Sequence, residues 1–251
     1  ADNKRKHFRF GDNRQATKRR SQSKRSRIAH EYVSRIRVEP QKADAAASNC
    51  RRYDSGIKHA STERDSSHYH HNNHNGAAEQ AVKAIGEIGL DYYWDKENHE
   101  KQEYWFRRQI ALAREEKLPM IIHSREAAAD TLRVMKEEKS EEIGGVIHCF
   151  SYSVEMAEEY LKMGFYLGIG GVVTFKNAKK IKEVVQMAPM ERILLETDSP
   201  YLAPVPYRGK RNSSLYLPYV VQEIAELKGI SEEEVIETTE KNAVRLFRAE
   251  E

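Results

Sequence analysis

The first 80 residues lack leucine, methionine and tryptophan altogether. Their large aliphatic side chains are confined to Ile28, Val33, Ile36, Val38 and Ile57. A segment with so few apolar side chains cannot bury enough surface to offset the conformational entropy that is lost on ordering. The absence argues against a hydrophobic core in this part of the chain and predicts that residues 1–80 are disordered.

Cysteine is scarce, and long apolar runs are absent. The two cysteines, Cys50 and Cys149, do not make a disulfide framework. No run approaches the roughly 20 apolar residues of a transmembrane helix, and the N-terminus has no apolar core of a signal peptide. We therefore expect a cytoplasmic protein with no membrane attachment and no obligate protein partner.

Charge is distributed unevenly along the 251 residues, although the net charge is only +3. Residues 1–80 hold 18 Lys and Arg against 9 Asp and Glu, and the rest of the chain holds 24 against 30. A basic run such as KRRSQSKRSR (18–27) belongs either to a tail that binds nucleic acid or to a merely solvated tail. We divide the chain into a disordered basic segment, residues 1–80, and a folded domain, residues 81–251.

Short apolar runs alternate with amphipathic ones in the second part. Strands are predicted at 81–87, 119–123, 144–150, 165–171 and 192–198. Helices are predicted at 97–117, 125–139, 153–163, 177–187, 213–228 and 231–247, with Ser153 and Ser231 as N-caps. This order predicts an α/β fold with a parallel sheet, either part of a (β/α)₈ barrel or an open sheet.

Four of the predicted strands end on a side chain that can bind a metal ion, namely Glu87, His123, His148 and Asp198. The carboxyl ends of parallel strands meet at one edge of a sheet, where α/β folds place their sites. Two imidazoles and two carboxylates suit Zn²⁺, Mn²⁺ or a related divalent ion. Each residue alone has a structural interpretation, but the pattern over four strands predicts a metal site.

A basic loop follows Asp198 in the sequence. The stretch PYLAPVPYRGKRN (200–212) carries Arg208, Lys210 and Arg211, which suit an anionic substrate such as a phosphodiester or simply face water. Arg125, two residues after His123, is a second candidate for the same role.

Aromatic and acidic residues follow the first predicted strand. Tyr92, Tyr93 and Trp94 either stack on bases or pack locally. Asp91 and Asp95 are expected to be loop acids in water. Cys149 is expected to lie on the side of its strand opposite His148, as a core residue.

Six motifs together carry a family resemblance. GEIGLDYYWD, PMIIHSR, GGVIHCFS, FYLGIGGVVTFKNAKK, LLETDSPYLAP and PYRGKRN resemble, in this order, the TatD family of metal-dependent deoxyribonucleases, over residues 82–248. The resemblance implies a TIM barrel related to the amidohydrolases. It also implies hydrolysis of nucleic acid phosphodiesters, often exonucleolytic, with two divalent ions such as Mg²⁺, Mn²⁺ or Zn²⁺. The implied substrate is DNA with single-stranded ends, with RNA as an alternative.

The resemblance also implies roles for individual residues. Glu87 is then the carboxylate that bridges two metals, and His123 and His148 are metal ligands. Asp198 is a ligand that also accepts the proton of the attacking water. With such a site, Arg208, Lys210 and Arg211 are placed to hold the phosphates.

Two family motifs are missing from the sequence. An opening strand that ends in D-T-H-x-H and an early G-x-H-P pattern are absent, so about five barrel strands, the fourth to the eighth, remain. Residues 1–80 are then either an out-of-frame or mis-joined segment or a divergent tail. Five strands cannot close an eight-strand barrel, and the histidine pair is missing. We therefore expect a poorly stable chain with little or no nuclease activity. The alternative is an inactive remnant or a basic-tailed protein that binds nucleic acid.

Overall fold

A computed structural model describes residues 82–248, so the predicted disordered segment lies outside the described residues. Five strands are present in this part: β1 Ile85–Asp91, β2 Met120–Arg125, β3 Gly145–Ile147, β4 Tyr166–Ile169 and β5 Ile193–Leu195. The α-helices of the same part are α1 His99–Glu116, α2 Ala128–Glu137, α3 Val154–Lys162, α4 Lys179–Met187, α5 Leu217–Lys228 and α6 Glu232–Phe247. Short 3₁₀ turns lie at Ser140–Glu142, Gly171–Thr174, Met190–Arg192 and Ser214–Tyr216.

The five strands form one parallel sheet in the order β1-β2-β3-β4-β5. Each strand therefore pairs with the next one in the sequence, as consecutive strands do around a (β/α)₈ barrel. A doubly wound open sheet would instead reverse its strand order at a switch point. The predicted α/β class is confirmed, and the strand order indicates consecutive strands of a barrel.

Alternate side chains along the strands point to two different cores. The larger core lies between the sheet and the helices, and its strand residues are Ile88, Ile122, Ile147, Leu167 and Ile193. The opposite face, here called the inner face, carries a small cluster of Val146, Tyr166 and Leu194, with Ile121 beside it. Residues from the end of α6, including Phe247, pack against this cluster.

The bounds of the strands differ from the predicted ones. The first strand is predicted at 81–87 but runs from Ile85 to Asp91, where Leu90 is fully buried and Asp91 pairs in register with Arg125. The third, fourth and fifth strands end earlier than predicted, at Ile147, Ile169 and Leu195. Cys149 and Asp198, with φ of 47° and 53°, have left-handed backbone inside the predicted third and fifth strands, so those ranges cannot be strand throughout.

The helix ends test the predicted caps. Ser231 precedes α6, and its hydroxyl accepts a hydrogen bond from the backbone N–H of Glu234 at 3.0 Å, so this cap is confirmed. Ser153 precedes α3 but makes no side-chain cap bond. None of the helices in residues 82–248 combines the length and the apolar character needed to span a bilayer.

Candidate metal and catalytic site

The inner face of the sheet gathers the chemically active side chains. His148 follows β3 two residues after Val146, and Glu196 follows β5 two residues after Leu194. Side chains two residues apart in extended backbone share a face. The polar groups therefore lie next to the small apolar cluster, at the carboxyl ends of the strands.

His148 is the centre of the site. Its Nδ1 lies 2.7 Å from Oε2 of Glu196, on one side of the ring. On the other side, its Nε2 lies 3.3 Å from Oε1 of Glu87 and 3.5 Å from Oδ1 of Asp198. The imidazole is thus held by three carboxylates, and its own side chain is only 14% exposed.

Glu196 is a site residue that the sequence reasoning missed. Its side chain is 16% exposed, and while Oε2 accepts from His148, Oε1 is buried with no hydrogen-bond partner among the described residues. A carboxylate is costly to bury unless it is paired. The available signal was its place in LLETD, two residues before Asp198 at the end of a strand.

The carboxylates raise the proton affinity of His148. Burial lowers the pKa of this imidazole, but the hydrogen bond to Glu196 and the charges of Glu196, Glu87 and Asp198 outweigh burial and raise the pKa to about 9. Without a metal, the ring therefore balances its acidic neighbours as an imidazolium. Burial raises the pKa of the neighbouring Cys149 thiol above its usual range, and Glu196 and Asp198 raise it further.

Without a metal, Cys149 accordingly stays a thiol and not a thiolate. Its left-handed backbone breaks the alternation on which its predicted orientation depended. Non-glycine residues in this conformation are strained, and such strain is concentrated at functional sites. Cys149, directly after His148, and Asp198 both have this conformation.

His123 has a different partner from His148. Its Nε2 lies 3.1 Å from Oδ2 of Asp91, which ends β1, and its backbone lies in register with Gly89. Gly89 has a φ of +143°, and a Cβ there would lie 1.9 Å from the carbonyl oxygen of His123. The two strands therefore approach each other at a point that only glycine allows.

Asp91 is not a solvated loop residue, so the expectation for its side chain is wrong. While its Oδ2 contacts His123, its Oδ1 accepts hydrogen bonds from the backbone N–H groups of Tyr93 and Trp94, both at 3.0 Å. Its side chain is 24% exposed. Asp95 likewise accepts from the backbone and side chain of Asn98, just before α1.

The basic candidates are exposed, as expected for residues that bind a substrate. Arg208, Lys210 and Arg211 lie on the surface of the loop after β5. The guanidinium of Arg208 lies 4.4 Å from the centre of the Phe175 ring. Buried Asn212 fastens the end of this loop, because its Nδ2 donates to the carbonyl of Thr197 at 2.6 Å.

Arg125 lies on the surface at the end of β2, over aromatic rings. Its guanidinium carbon is 3.9 Å from the centre of the Tyr93 ring and 5.7 Å from that of Trp94. Tyr92, in contrast, packs locally, with its ring stacked on His99 at 3.6 Å.

Comparison with known proteins identifies the family. The profile of the family described as TatD related DNase matches residues 14–248. The uncharacterized metal-dependent hydrolase YabD of Bacillus subtilis (strain 168) is 55% identical over 172 residues, which is 68% of this chain and 68% of that protein. The chain belongs to the TatD related DNase family. The resemblance read from the six motifs is thereby confirmed.

Other members of the TatD family agree with this assignment. The 3'-5' ssDNA/RNA exonuclease TatD of Pantoea vagans is 39% identical over 177 residues, covering 68% of each chain. A solved structure, the TatD homologue YJJV of Escherichia coli K12, superposes with a TM-score of 0.64 at 30% identity. It covers 69% of this chain and 70% of its own. The chain therefore spans about two thirds of the length of these relatives.

The family match begins upstream of the motifs. It starts at residue 14, whereas the motif resemblance starts at residue 82. It thus takes in part of the segment that the sequence analysis places outside the family. The pairwise alignments with the curated relatives cover about two thirds of the chain. The boundary between residues 80 and 81 stays a prediction.

TatD relatives are named metal-dependent hydrolases, so the site can be tested for its fit to a divalent ion. With metal–ligand bonds of about 2.0–2.2 Å, adjacent donors of a tetrahedral site lie about 3.4 Å apart. The distances of 3.3 and 3.5 Å from Nε2 of His148 match this spacing. The bond from Nδ1 to Glu196 is the outer contact that metal-bound histidines usually make.

The described residues supply fewer donor side chains than a complete metal site needs. Within residues 82–248, no three or more His, Cys, Asp or Glu side chains are grouped closely enough to hold a metal ion on their own. Of the four predicted ligands, Glu87 and Asp198 converge on His148, while His123 contacts Asp91 instead. The donor types and the two spacings fit a divalent ion, and the described residues supply part of its shell.

Proposed function

We propose that the chain is a divalent-metal-dependent hydrolase that cleaves the phosphodiester bonds of DNA, working inward from single-stranded ends. The observation that carries this proposal is the His148 ring, with Nε2 facing Glu87 and Asp198 and Nδ1 bonded to Glu196. The name of the Pantoea vagans relative supports single-stranded DNA as the substrate and RNA as a second one. A cytoplasmic location remains a prediction.

Glu87, His148 and Asp198 would hold the metal, with His123 close to the same edge of the sheet. We propose Mg²⁺, Mn²⁺ or Zn²⁺ as the ion, with two ions in the family as a whole, and Glu87 would help to hold both. A bound divalent ion supplies a water of lowered pKa and neutralises charge on the phosphate oxygens. Glu196 keeps the proton on Nδ1 of His148, so that the lone pair of Nε2 is free for a ligand bond.

Asp198 would accept the proton of the attacking water. Its Oδ1 lies 3.5 Å from Nε2 of His148, and its side chain is 32% exposed, so water can enter beside it. Asp198 lies three residues after the end of β5, in left-handed backbone. A general base must lie within hydrogen-bond reach of the proton that it takes, and this position meets that need.

Arg125, Arg208, Lys210 and Arg211 would bind the phosphates of the substrate. All four are exposed and project from loops or strand ends at the carboxyl edge of the sheet. Arginine can hold a phosphate with two parallel N–H donors. The guanidinium of Arg208 already lies over the Phe175 ring, which restricts its motion before the substrate arrives.

The proposal is tested by cleavage of single-stranded DNA by this chain, with Mg²⁺ or Mn²⁺ and with EDTA. His148→Ala removes the central imidazole, and Glu155→Ala is the control, because Glu155 is exposed on α3, away from the site. We expect weak cleavage that requires metal, is lost in His148→Ala and is kept in Glu155→Ala.

Cleavage that survives EDTA or His148→Ala would overturn the proposal. No cleavage with either metal would favour the second candidate, an inactive remnant or a basic-tailed protein that binds nucleic acid. The charge of residues 1–80, with 18 basic against 9 acidic side chains, favours this candidate. Its binding would need no metal and would weaken steeply as salt is raised.

A further inference from the structure

We infer that Tyr93, Trp94 and Arg125 form a platform on which the bases of a single-stranded nucleic acid stack. The inference rests on the proposed function, because it names how the substrate of that site is held. These three residues are called the aromatic platform below.

The aromatic platform exposes unusually large apolar surfaces. Trp94 is 75% exposed and Tyr93 is 40% exposed, whereas Tyr92 beside them is partly buried. Tyr92 stacks on His99, and its hydroxyl donates to Asp130 at 3.0 Å, which anchors the segment to α1 and α2. Local packing thus accounts for Tyr92, and it leaves most of Trp94 and the exposed part of Tyr93 open to a ligand.

Arg125 supplies the cation of the aromatic platform. Its guanidinium lies over the Tyr93 ring at 3.9 Å and beside the Trp94 ring at 5.7 Å. Among the described residues no carboxylate pairs with it, so its N–H donors can meet phosphate. The Tyr93 and Trp94 rings meet edge to face, 4.9 Å apart at 87°. Exposed aromatic faces next to arginine are the arrangement by which proteins hold single strands regardless of sequence.

The loop that carries the rings is held in place before any ligand binds. Asp91 accepts hydrogen bonds from the backbone N–H groups of both Tyr93 and Trp94, and the N–H of Tyr92 donates to the carbonyl of Arg125 at 2.9 Å. Gln102 of α1 bonds both the N–H and the carbonyl of Asp91. A platform that is already ordered loses little entropy when it binds.

The position of the aromatic platform connects it to the site. It begins two residues after Asp91, and Asp91 lies four residues beyond Glu87 on the same strand, about 13 Å at the usual strand rise. Asp91 also contacts His123. A strand with its bases on Trp94 and Tyr93 can therefore reach the carboxylates around His148. Duplex DNA cannot use the platform in this way, because its bases are already stacked on each other.

The test uses the fluorescence of Trp94. The chain has two tryptophans, Trp94 and Trp105, so Trp105→Phe leaves Trp94 as the only one. This variant is titrated with a thymidine decanucleotide in EDTA at low salt, with a duplex of the same length in parallel. We expect saturable quenching by the single strand and none by the duplex. Absence of quenching by the single strand would overturn the inference.

A second measurement uses a labelled decanucleotide and its fluorescence anisotropy. Trp94→Ala should weaken binding about 5- to 150-fold, as expected for the loss of one stacked base. Tyr104→Ala is the matched control, since Tyr104 is an exposed aromatic residue on α1 that packs on Trp105. Equal affinities of the two variants would contradict the inference.

These outcomes separate the aromatic platform from the proposed function. Binding is measured in EDTA, so it does not depend on hydrolysis. Quenching without any metal-dependent cleavage would contradict only the proposed function. Cleavage without quenching, and with unchanged binding by Trp94→Ala, would contradict only the aromatic platform.

Discussion

Gly168 of β4 and the carboxylate of Glu196 are packed directly against each other. A Cβ on Gly168 would lie 2.6 Å from Oε2 of Glu196, the atom that accepts from His148. Because Gly168 has no side chain, the Glu196 carboxylate can lie this close to β4. The position of that carboxylate in turn fixes the orientation of the His148 imidazole.

Gly168→Ala should displace Glu196 and destabilise the fold. Overpacking of this kind costs about 1–3 kcal/mol of the free energy of unfolding, which urea unfolding in EDTA can measure. Gly170→Ala is the control, because a Cβ there would lie 3.4 Å from Oε1 of Glu196, an ordinary contact. Equal losses of unfolding free energy in the two variants would show that close contact with Oε2 of Glu196 does not cause the destabilisation.

Glu196→Gln should weaken metal binding without removing any ligand. The amide keeps the shape of the side chain but not the charge that holds the proton on Nδ1 of His148. Changes to such outer contacts cost roughly 10- to 100-fold in metal affinity. Competition with a chelating dye for Zn²⁺ measures the change, with Glu155→Gln, an exposed glutamate of α3, as the control. Unchanged Zn²⁺ affinity in Glu196→Gln would show that Glu196 does not support metal binding through His148.

The two serines in front of helices should differ in their effect on stability. Ser231→Ala removes the bond to the N–H of Glu234 and should cost about 1 kcal/mol of the free energy of unfolding. Ser153→Ala removes no cap bond, so its cost should be much smaller. Thermal unfolding of the two variants measures the difference, and a larger loss at Ser153 would contradict the structure.

Glu103 should make the stability of the helix layer depend on pH. Hydrogen bonds from Arg133 and Arg107 lower the pKa of this carboxyl to about 2. The bond from Arg133 connects α1 to α2, whereas Arg107 lies on α1 itself. Its folded pKa is depressed, so its contribution is full above about 4.5 and disappears as the pH falls toward 2.

Glu103→Gln should therefore be less stable than the parent chain near pH 7, by about 0.5–1 kcal/mol for such accessible ion pairs. The difference should shrink below pH 4.5. Urea unfolding of both chains across this range measures it. A difference that stays constant with pH would show that the charge of Glu103 is not its cause.

Much of the fold could be predicted because its signals are local. Five apolar runs separated by amphipathic stretches predicted the strands, and their order predicted the parallel sheet. The strand ends were harder to predict. They depend on left-handed backbone at Cys149 and Asp198 and on pairing between β1 and β2, which are tertiary effects.

The site was predicted as a pattern more accurately than as a set of contacts. Parallel strands with polar ends predicted that Glu87, His148 and Asp198 would meet, and the structure brings both carboxylates to His148. The predicted place of Glu87 at a strand end is wrong, because Glu87 is the third residue of β1 and the strand continues to Asp91. The sequence could not show that His123 pairs with Asp91 or that Glu196 supports His148. Each of these contacts depends on the stagger of neighbouring strands and on a glycine, Gly89 or Gly168, that allows close approach.

The most direct test of the central claim is X-ray absorption at the zinc edge, on the chain loaded with one equivalent of Zn²⁺. The account predicts nitrogen and oxygen ligands at about 2.0–2.2 Å, with an imidazole contribution that disappears in His148→Ala. A sulfur ligand at about 2.3 Å would point to a cysteine, Cys50 or Cys149, instead. Such a ligand, or a spectrum unchanged by His148→Ala, would contradict a metal centre built on Glu87, His148 and Asp198.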